Sequence, residues 1–253
     1  MKAMILAAGR GERMRPLTDN TPKPLLSVGG QPLIVWHLQA LAKAGFAQVV
    51  INTAHLAQAL QSALGDGGQW GLEIRFSDEP PGALETAGGI ATAQPWLGSP
   101  DNEPFLVLNG DVFSDWPLHQ AKTLAQAMVD RDQEACLVLV QNPDHHPGGD
   151  FELLPTPSQG TGDAPLAQAR RATHPPSTGR SYTYSGIGLF RPSLFHGVPA
   201  GERSPLAPLL FQAAQQGRLC GLVHQGRWTD VGTPERLAAL DQALTSQRDS
   251  PHV

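Results

Sequence analysis

Short apolar runs alternate with amphipathic stretches through the first 140 residues of this 253-residue chain. The runs are continuous, as is typical of strands that are covered on both faces of a parallel sheet. They predict strands at residues 3–8, 48–52, 72–76, 104–109 and 135–141. Between them, apolar residues recur with helical spacing and predict helices near 32–45, 55–64, 84–94 and 117–131. This order predicts an α/β fold in one domain, with a doubly wound, mainly parallel sheet and ligands at the carboxyl ends of its strands.

The pattern changes in the stretch from Pro143 to Arg180, which is rich in Pro, Gly, Ser and Thr. Within it, only Phe151 to Leu154 is a clear apolar run, so we expect residues 155–180 to form a mobile insertion. Regular structure is predicted again as a strand at 182–190, a helix near 205–217, a strand near 219–224 and a helix that begins at Thr233 and Pro234. No hexapeptide repeat follows, so a C-terminal left-handed β-helix is not expected.

Composition excludes several classes of function. The net charge of −5 argues against a nucleic-acid partner, because such partners select broad basic surfaces. Cys136 and Cys220 each lie in a short apolar run, which predicts buried, reduced thiols and favours a cytoplasmic location. No apolar run approaches about 18 residues, so neither a membrane span nor a signal peptide is predicted.

The first strand leads directly into a glycine turn that carries several cations, Gly9-Arg10-Gly11-Glu12-Arg13, with Lys23 ten residues beyond. Glycines allow positive φ angles and a close approach of the backbone, so that successive N–H groups can point at phosphate oxygens. A P-loop is disfavoured because no GxxxxGK[ST] motif is present, and Met14 replaces the third glycine of a dinucleotide-binding GxGxxG. The segment therefore predicts a site for a polyphosphate.

The stretch from Leu6 to Leu25 resembles the signature of the sugar-1-phosphate nucleotidyltransferases, GxGxR followed by Pro-Leu-Thr and Lys-Pro-Leu. The similarity continues through Asn109-Gly-Asp111, Gly149-Asp-Phe151, Ser185-Gly186 and Trp228-Thr-Asp-Val-Gly-Thr233. In its short length and in the residues of these motifs, the chain is most similar to the uridylyltransferases of this family. The resemblance implies a Rossmann-like fold and the transfer of UMP from UTP to a sugar 1-phosphate, with N-acetylmuramate α-1-phosphate as the expected sugar. Pyrophosphate would be released, and the activity would belong to peptidoglycan recycling.

All the groups that react in such a transfer are anionic. A phosphate monoester has its second pKa near 6, so the attacking oxygen is already largely deprotonated and no general base is required. The protein has to position and neutralise its substrates, for which Arg, Lys and Mg²⁺ are suited.

The resemblance makes Arg13 and Lys23 the catalytic residues, with Arg13 at the β- and γ-phosphates and Lys23 near the α-phosphate. Arg10 and Arg15 either assist or are solvated surface charges. Further nucleotide-binding residues are implied at Ala8, Gly9, Gly11, Glu12, Glu85, Gly88 and Asn109. Around Glu85 and Gly88, small residues would admit the base. Glu85 also fits an ordinary residue of the first helical turn.

Asp111 and Asp230 each follow a short strand, and we expect both to bind Mg²⁺, although a turn-capping role is also common for such aspartates. Mg²⁺ typically takes one or two protein carboxylates and completes its octahedron with phosphate oxygens and water. The sequence leaves open whether one Mg²⁺ ion or two are bound. These two carboxylates and two cations are expected to converge from distant parts of the chain around a bound triphosphate.

The resemblance implies that Asn109, Gly149, Asp150 and Gly186 contact the sugar. A Glu-Lys-Pro motif, whose lysine holds the sugar phosphate in many relatives, is missing because no Lys follows Lys122. The alternatives considered for that charge are Arg227, Arg170 and Arg171. Adjacent His145 and His146 suggest a metal site, but no Cys or third His stands at ligand spacing, so we predict none there.

Two other interpretations remain. The same chemistry with another base or sugar is one, as in mannose 1-phosphate guanylyltransferases or glucose 1-phosphate thymidylyltransferases. A noncatalytic sugar-nucleotide sensor is the other, although it would not need all of Arg13, Lys23, Asp111 and Asp230. The oligomeric state is not predicted.

Overall fold

The structure, a computed structural model, describes residues 1–80, 82, 84–155 and 166–248. Within these ranges the strands are β1 (Ala3–Leu6), β2 (Ser27–Val28), β3 (Gln31–Pro32), β4 (Gln48–Thr53), β5 (Glu73–Asp78), β6 (Phe105–Asn109), β7 (Val112–Ser114), β8 (Ala135–Val140), β9 (Phe151–Leu153), β10 (Ala167–Arg171), β11 (Thr183–Phe190), β12 (Leu219–Val223) and β13 (Trp228–Asp230). The α-helices are α1 (Leu33–Lys43), α2 (Ala57–Leu64), α3 (Glu85–Leu97), α4 (Gln120–Asp130), α5 (Ala207–Gln215) and α6 (Pro234–Arg248). The predicted strands and helices of the first 140 residues are all present, with bounds that differ by a few residues.

Nine strands form one sheet in the order β5-β4-β1-β6-β11-β8-β12-β10-β9. The pairs β5/β4, β4/β1, β1/β6 and β8/β12 are parallel, and only β11 and β10 run against the other strands. The predicted, mainly parallel sheet is confirmed. Because the chain leaves β1 toward β4 and later returns to place β6 on its other side, the order reverses beside β1. Ligands of open α/β sheets bind at such a point.

Both faces of the sheet are covered, as a doubly wound fold requires. One core packs Ile5 and Ile51 against α1, α2 and α4. The other packs Met4 and Val50 against α3 and α5. Adjacent residues of one strand thus point into different cores, which explains why the strands read as continuous apolar runs. Cys136 and Cys220 are buried, free and directly opposite one another in the β8/β12 pair, as predicted for reduced thiols.

A third apolar cluster joins the two ends of the chain. Leu240 and Leu244 of α6 pack against Met14, Leu26, Val28, Leu33, Phe113 and Val231. Met14 follows Arg13, and Val231 follows Asp230. Burying this cluster therefore brings the segments that carry these two predicted site residues to the same end of the sheet. Among the described residues, no helix has the length and apolar character needed to cross a bilayer.

The predicted insertion at 155–180 is wrong for Ala167–Arg171, which forms β10 between β12 and β9 in the main sheet. Ala167 and Ala169 are buried whereas Gln168 and Arg170 are partly exposed, an alternation typical of a strand with one solvated face. The surrounding Pro, Gly and Ser residues concealed this short pattern. Residues 156–165 of the predicted insertion lie outside the described residues.

The carboxylate of Glu152, on β9, organises the loop that follows β10. Its side chain is fully buried and accepts hydrogen bonds from the backbone N–H groups and hydroxyls of Thr173, Ser177 and Thr178, and from Arg170. Burial alone would raise the pKa of the Glu152 carboxyl, but the hydrogen bonds from Thr173 and Ser177, followed by that from Thr178, outweigh it and hold the pKa far below its usual range.

We expect Glu152→Gln to lower the free energy of unfolding by about 3 kcal/mol at pH 7. The glutamine NH₂ group would replace one acceptor oxygen and would face N–H and O–H groups that also donate. The lowered pKa means that this stabilisation is complete above the carboxyl's unfolded value near 4.5 and declines as pH falls below it. Urea unfolding measured from pH 7 to pH 3 should therefore show a flatter acid decline in the variant than in the parent protein. Glu73→Gln, at an exposed carboxylate, is the control and should barely move the midpoint. Equal acid declines in the Glu152→Gln variant and the parent would contradict the prediction.

Candidate active site

A cleft of about 540 Å³ opens at the carboxyl ends of β1, β4, β5 and β6. Its lining includes nine of the residues predicted for the nucleotide and metal sites: Ala8, Gly9, Gly11, Glu12, Arg13, Lys23, Glu85, Asn109 and Asp111. Gly88, Gly149, Asp150, Gly186 and Asp230 do not line it. The cleft lies beside β1, at the point where the strand order reverses.

The glycine turn after β1 is shaped by backbone conformation and close packing. Gly11 has a φ of +65°, and a Cβ there would lie 3.0 Å from Cγ2 of Thr18 and 3.2 Å from Cβ of Lys23. The Thr18 hydroxyl donates a 2.8 Å hydrogen bond to the Gly11 carbonyl, which fixes the turn before the 3-10 helix Glu12–Met14. A Cβ at Gly9 would meet no described atom within 4 Å. The backbone at Gly9 thus faces open space that a ligand can approach.

The cations of the cleft differ in how they are paired. Arg10 lies 3.9 Å from Glu12, and both side chains are exposed. Lys23 is mostly buried, and its Nζ donates to Oδ2 of Asp111 at 2.7 Å. Arg13 is exposed, and no acceptor among the described residues hydrogen-bonds to its guanidinium. Its charge is therefore available to an anionic ligand.

Asp111 and Asp230 are neighbours along the backbone of the small β7/β13 ribbon. Asp230 pairs with Val112, and the Val231 N–H donates to the Asp111 carbonyl at 2.8 Å. Their carboxylates contact different cations. Asp111 faces Lys23, whereas Asp230 accepts from Nη1 of Arg236 at 2.6 and 2.8 Å and lies 3.2 Å from Nε2 of His145.

These carboxylates fit a hard divalent cation. The Oδ1 atom of Asp111 has no hydrogen-bond partner among the described residues, and a carboxylate offers about four acceptor sites, so each of the two keeps capacity for an ion. The ranges that the structure describes hold no group of three or more His, Cys, Asp or Glu arranged for a metal. Two carboxylates without a closed cage agree with the way Mg²⁺ is bound together with phosphates.

His37 lies on α1, beneath the metal candidates. Burial lowers the pKa of its imidazole to about 4, against the opposing effects of a hydrogen bond to the Val112 backbone and of the nearby Asp111 charge. His37 is therefore neutral at pH 7, which leaves Lys23 as the cation that pairs with Asp111.

The residues predicted for the sugar lie in two places. A Cβ at Gly186, where φ is +80°, would stand 2.8 Å from the Asn109 side chain, so these two residues are in direct contact. Gly149 instead packs against Asn142 and Ser181. Asp150 accepts from the Tyr184 N–H at 2.8 Å and lies 3.0 Å from Nε2 of His146.

A second cleft of about 310 Å³ is lined in part by His145, Trp228, Thr229, Asp230 and Arg236, and by none of the four residues predicted to contact the sugar. His145 faces Asp230 and the adjacent His146 faces Asp150. The two imidazoles thus point to different carboxylates, and they tie the loop between β8 and β9 to both.

The start of α3 differs from the predicted base-binding arrangement. Glu85 lines the cleft with a φ of +58°, and its carboxylate pairs with Arg203 at 2.6 Å. Gly88 instead packs beneath the loop at 202–204, where a Cβ would overlap the Glu202 carbonyl. The absence of a side chain at Gly88 therefore admits this loop.

Sequence reasoning missed a buried polar pair in the floor of the cleft. Asn52 accepts a 2.7 Å hydrogen bond from the Ala7 N–H and donates to Glu79 at 2.6 Å, and Glu79 also accepts from the Leu84 N–H. Both residues line the cleft. Their position at or just past the carboxyl ends of β4 and β5 was the available signal.

The arginines considered for the sugar phosphate are all engaged elsewhere. Arg227 donates to Gln247 at 2.8 Å, Arg170 pairs with buried Glu152, and Arg171 lies over the Phe211 ring at 4.8 Å. Arg236, which sequence reasoning did not select, is the arginine that contacts Asp230.

Comparison with known proteins agrees with this architecture. The chain is 50% identical over 237 residues to N-acetylmuramate alpha-1-phosphate uridylyltransferase of Neisseria meningitidis serogroup B, covering 94% of this chain and 95% of that protein. It is 30% identical to Mannose-1-phosphate guanylyltransferase of Mycobacterium tuberculosis, covering 92% of this chain but 61% of that protein. A crystal structure of UDP-glucose pyrophosphorylase complexed with UDP-glucose has the same fold, with a TM-score of 0.74 and 18% identity over 98% of this chain and 99% of that chain. The Nucleotidyl transferase family matches residues 2–247, so the chain belongs to this family, and the resemblance to sugar-1-phosphate nucleotidyltransferases is confirmed.

Proposed function

We propose that this enzyme transfers UMP from UTP to N-acetylmuramate α-1-phosphate and releases pyrophosphate. The observation that carries the reaction class is the convergence on one cleft, beside the glycine turn, of the Lys23–Asp111 pair and of Arg13, which has no acceptor among the described residues. The choice of substrates is supported by the 50% identical relative, whose printed name states this activity and whose length this chain nearly matches. A 33% identical relative in Caulobacter vibrioides carries the same name, with 96% of both chains covered.

In the proposed reaction, an oxygen of the sugar phosphate forms a bond to the α-phosphorus of UTP. The bond from that phosphorus to the α,β-bridging oxygen breaks, and pyrophosphate leaves with the electron pair. Backbone N–H groups at Gly9 and Gly11 would bind phosphate oxygens. The Arg13 guanidinium would neutralise the departing pyrophosphate, and Lys23 would contact the α-phosphate region. None of these steps needs a general base.

Asp111 would hold Mg²⁺ through its Oδ1 atom, which has no partner among the described residues, and Asp230 through the acceptor capacity that remains beside its contacts with Arg236 and His145. When bound, the ion supplies charge neutralisation to the phosphates. Asp111 immediately precedes β7 and Asp230 ends β13, so the docking of α6 would set the separation of these two candidate ligands.

On the sugar side, Asn109 and Gly186 would contact the acceptor from one wall, and Gly149 and Asp150 from the neighbouring loop. The uracil would lie near Glu85, with the Asn52 and Glu79 pair beneath it. Buried free thiols and a nucleoside triphosphate substrate favour the cytoplasm, where the product would serve peptidoglycan recycling.

We expect UTP with N-acetylmuramate α-1-phosphate to give the highest kcat/KM in a matrix of four nucleoside triphosphates and several sugar 1-phosphates. Pyrophosphate release with Mg²⁺ is the measurement, and omission of Mg²⁺ is the control. Highest kcat/KM with GTP and mannose 1-phosphate, or with dTTP and glucose 1-phosphate, would replace the proposed substrates while keeping the reaction. No turnover with any pair would favour a noncatalytic sensor.

A further inference from the structure

Two guanidinium groups face each other across Gly232, at the boundary between the two clefts. The position that a Cβ on Gly232 would occupy lies 3.3 Å from Nη2 of Arg13 and closer still to Nη2 of Arg236. Arg13 and Gly232 line the first cleft, whereas Arg236 lines the second. The two Nη2 atoms are therefore near enough to contact neighbouring phosphate groups that meet at the boundary between the clefts.

Arg236 is held by one side of its guanidinium and free on the other. Nη1 contacts both carboxylate oxygens of Asp230 and lies 2.8 Å from Nε2 of His145. Within the described ranges, Nη2 has no hydrogen-bond acceptor. The side chain is 23% exposed, so it is fixed in place with one edge of its fork directed at Gly232.

Charges around this point are not balanced. Arg13 and Arg236 supply two positive charges. Asp230 pairs with Arg236, and no carboxylate among the described residues pairs with Arg13. Two converging guanidinium groups with unused donors are a strong site for a phosphate, which accepts parallel N–H bonds. Arg236 differs from Arg227, Arg170 and Arg171 in that its Nη2 lies beside Gly232, close to the guanidinium of Arg13.

We propose that Arg236 binds the phosphate of the acceptor sugar 1-phosphate and holds it on the side of the α-phosphorus opposite the pyrophosphate that Arg13 neutralises. This rests on the proposed function and identifies the residue that supplies the charge of the missing lysine. Nη2 of Arg236 donates to a non-attacking oxygen of the acceptor phosphate, while another oxygen of the same group remains free to bond to the α-phosphorus. Gly232 is required because a Cβ would displace the Arg236 fork.

The test compares Arg236→Met and Arg236→Lys with the parent enzyme, with the KM of each substrate measured at saturation of the other. Arg236→Met should raise the KM for N-acetylmuramate α-1-phosphate by roughly 10- to 100-fold, the loss expected for a charged hydrogen bond, and change the KM for UTP less than about threefold. Arg236→Lys should recover part of the loss, because it restores a charge without the fork. Thermal unfolding and UTP binding would verify that each variant is folded.

Arg227→Ala is the matched control. It also removes an arginine near β13, but the side chain of Arg227 donates to Gln247. It should leave the KM for the sugar phosphate unchanged. An equal rise in both KM values for Arg236→Met, or a fall in kcat cured only by added Mg²⁺, would overturn the proposal in favour of a role at the triphosphate or in positioning Asp230. A parent enzyme without turnover on any sugar 1-phosphate would instead refute the proposed function itself.

Discussion

Replacing Arg13 with Ala is expected to lower kcat by about a thousandfold, the scale seen when an arginine that neutralises a transferring phosphate is removed. The structure supplies the reason, since Arg13 has no acceptor among the described residues and faces the cleft at Gly232. Its charge is free to act on the pyrophosphate as negative charge develops there. Arg13→Lys should recover only part of the rate, because an ammonium group lacks the planar fork. Pyrophosphate release at saturating substrates is the measurement.

Arg10→Ala provides the matched control, three residues away on the same turn. The Arg10 side chain is 57% exposed and lies 3.9 Å from Glu12, so its charge is solvated and partly paired. We expect its removal to change kcat by less than about fivefold. Comparable losses in the Arg10 and Arg13 variants would mean that the positive charge of the turn matters and the placement of Arg13 does not. Because both side chains are exposed, neither substitution should alter thermal unfolding.

Local patterns were sufficient to predict most of the fold. β1, β4, β6 and β8 are buried on both faces, so their sequences carry an unbroken apolar signal that needs no knowledge of their neighbours. β10 was not predicted because it is not buried on both faces. It lies next to the edge strand of the sheet and includes both arginines of the Ala-Arg-Arg-Ala stretch. Its identity as a strand depends on pairing with β9 and β12, which a local pattern does not reveal.

The candidate site was predictable where residues lie within one motif. Gly9, Gly11 and Arg13 follow the same strand, and their shared cleft follows from the direction of that strand. The contact between Arg236 and His145 joins residues 91 positions apart and depends on how α6 docks against the β7/β13 ribbon. Gly88 is the converse case, because this small residue of a motif admits a neighbouring loop, and only the tertiary structure reveals that contact. Its predicted place beside the base stays a prediction.

Asn52 and Glu79 were within reach of the sequence argument but were not selected. Ligands bind at the carboxyl ends of parallel strands, and this rule covers the ends of β4 and β5 as well as those of β1 and β6. Buried amides and carboxylates at those ends need partners, which here are each other and the Ala7 and Leu84 N–H groups. Their burial beneath the cleft makes them part of its floor.

Asp111→Asn is expected to reduce turnover at least about a thousandfold, since several kcal/mol of charge stabilisation depend on the metal that this carboxylate would bind. The amide is a weaker ligand for Mg²⁺, and it also leaves the mostly buried Lys23 ammonium without its anionic partner. We therefore expect two changes together: a large loss of kcat and a higher Mg²⁺ concentration for half-maximal rate. Pyrophosphate release across a Mg²⁺ titration measures both.

Asp115→Asn makes the same chemical change four residues farther along the ribbon, at a carboxylate that is 55% exposed and contacts His224 at 2.7 Å. Asp115 does not line the first cleft, so turnover and the Mg²⁺ requirement should stay close to those of the parent enzyme. If the protein is a metal-dependent enzyme, Asp111→Asn should lose turnover while Asp115→Asn keeps it. A noncatalytic sugar-nucleotide sensor would show no such difference. If Asp111→Asn retained full turnover at unchanged Mg²⁺, the ribbon carboxylates would not be the metal ligands, and the Lys23 pair would serve folding alone.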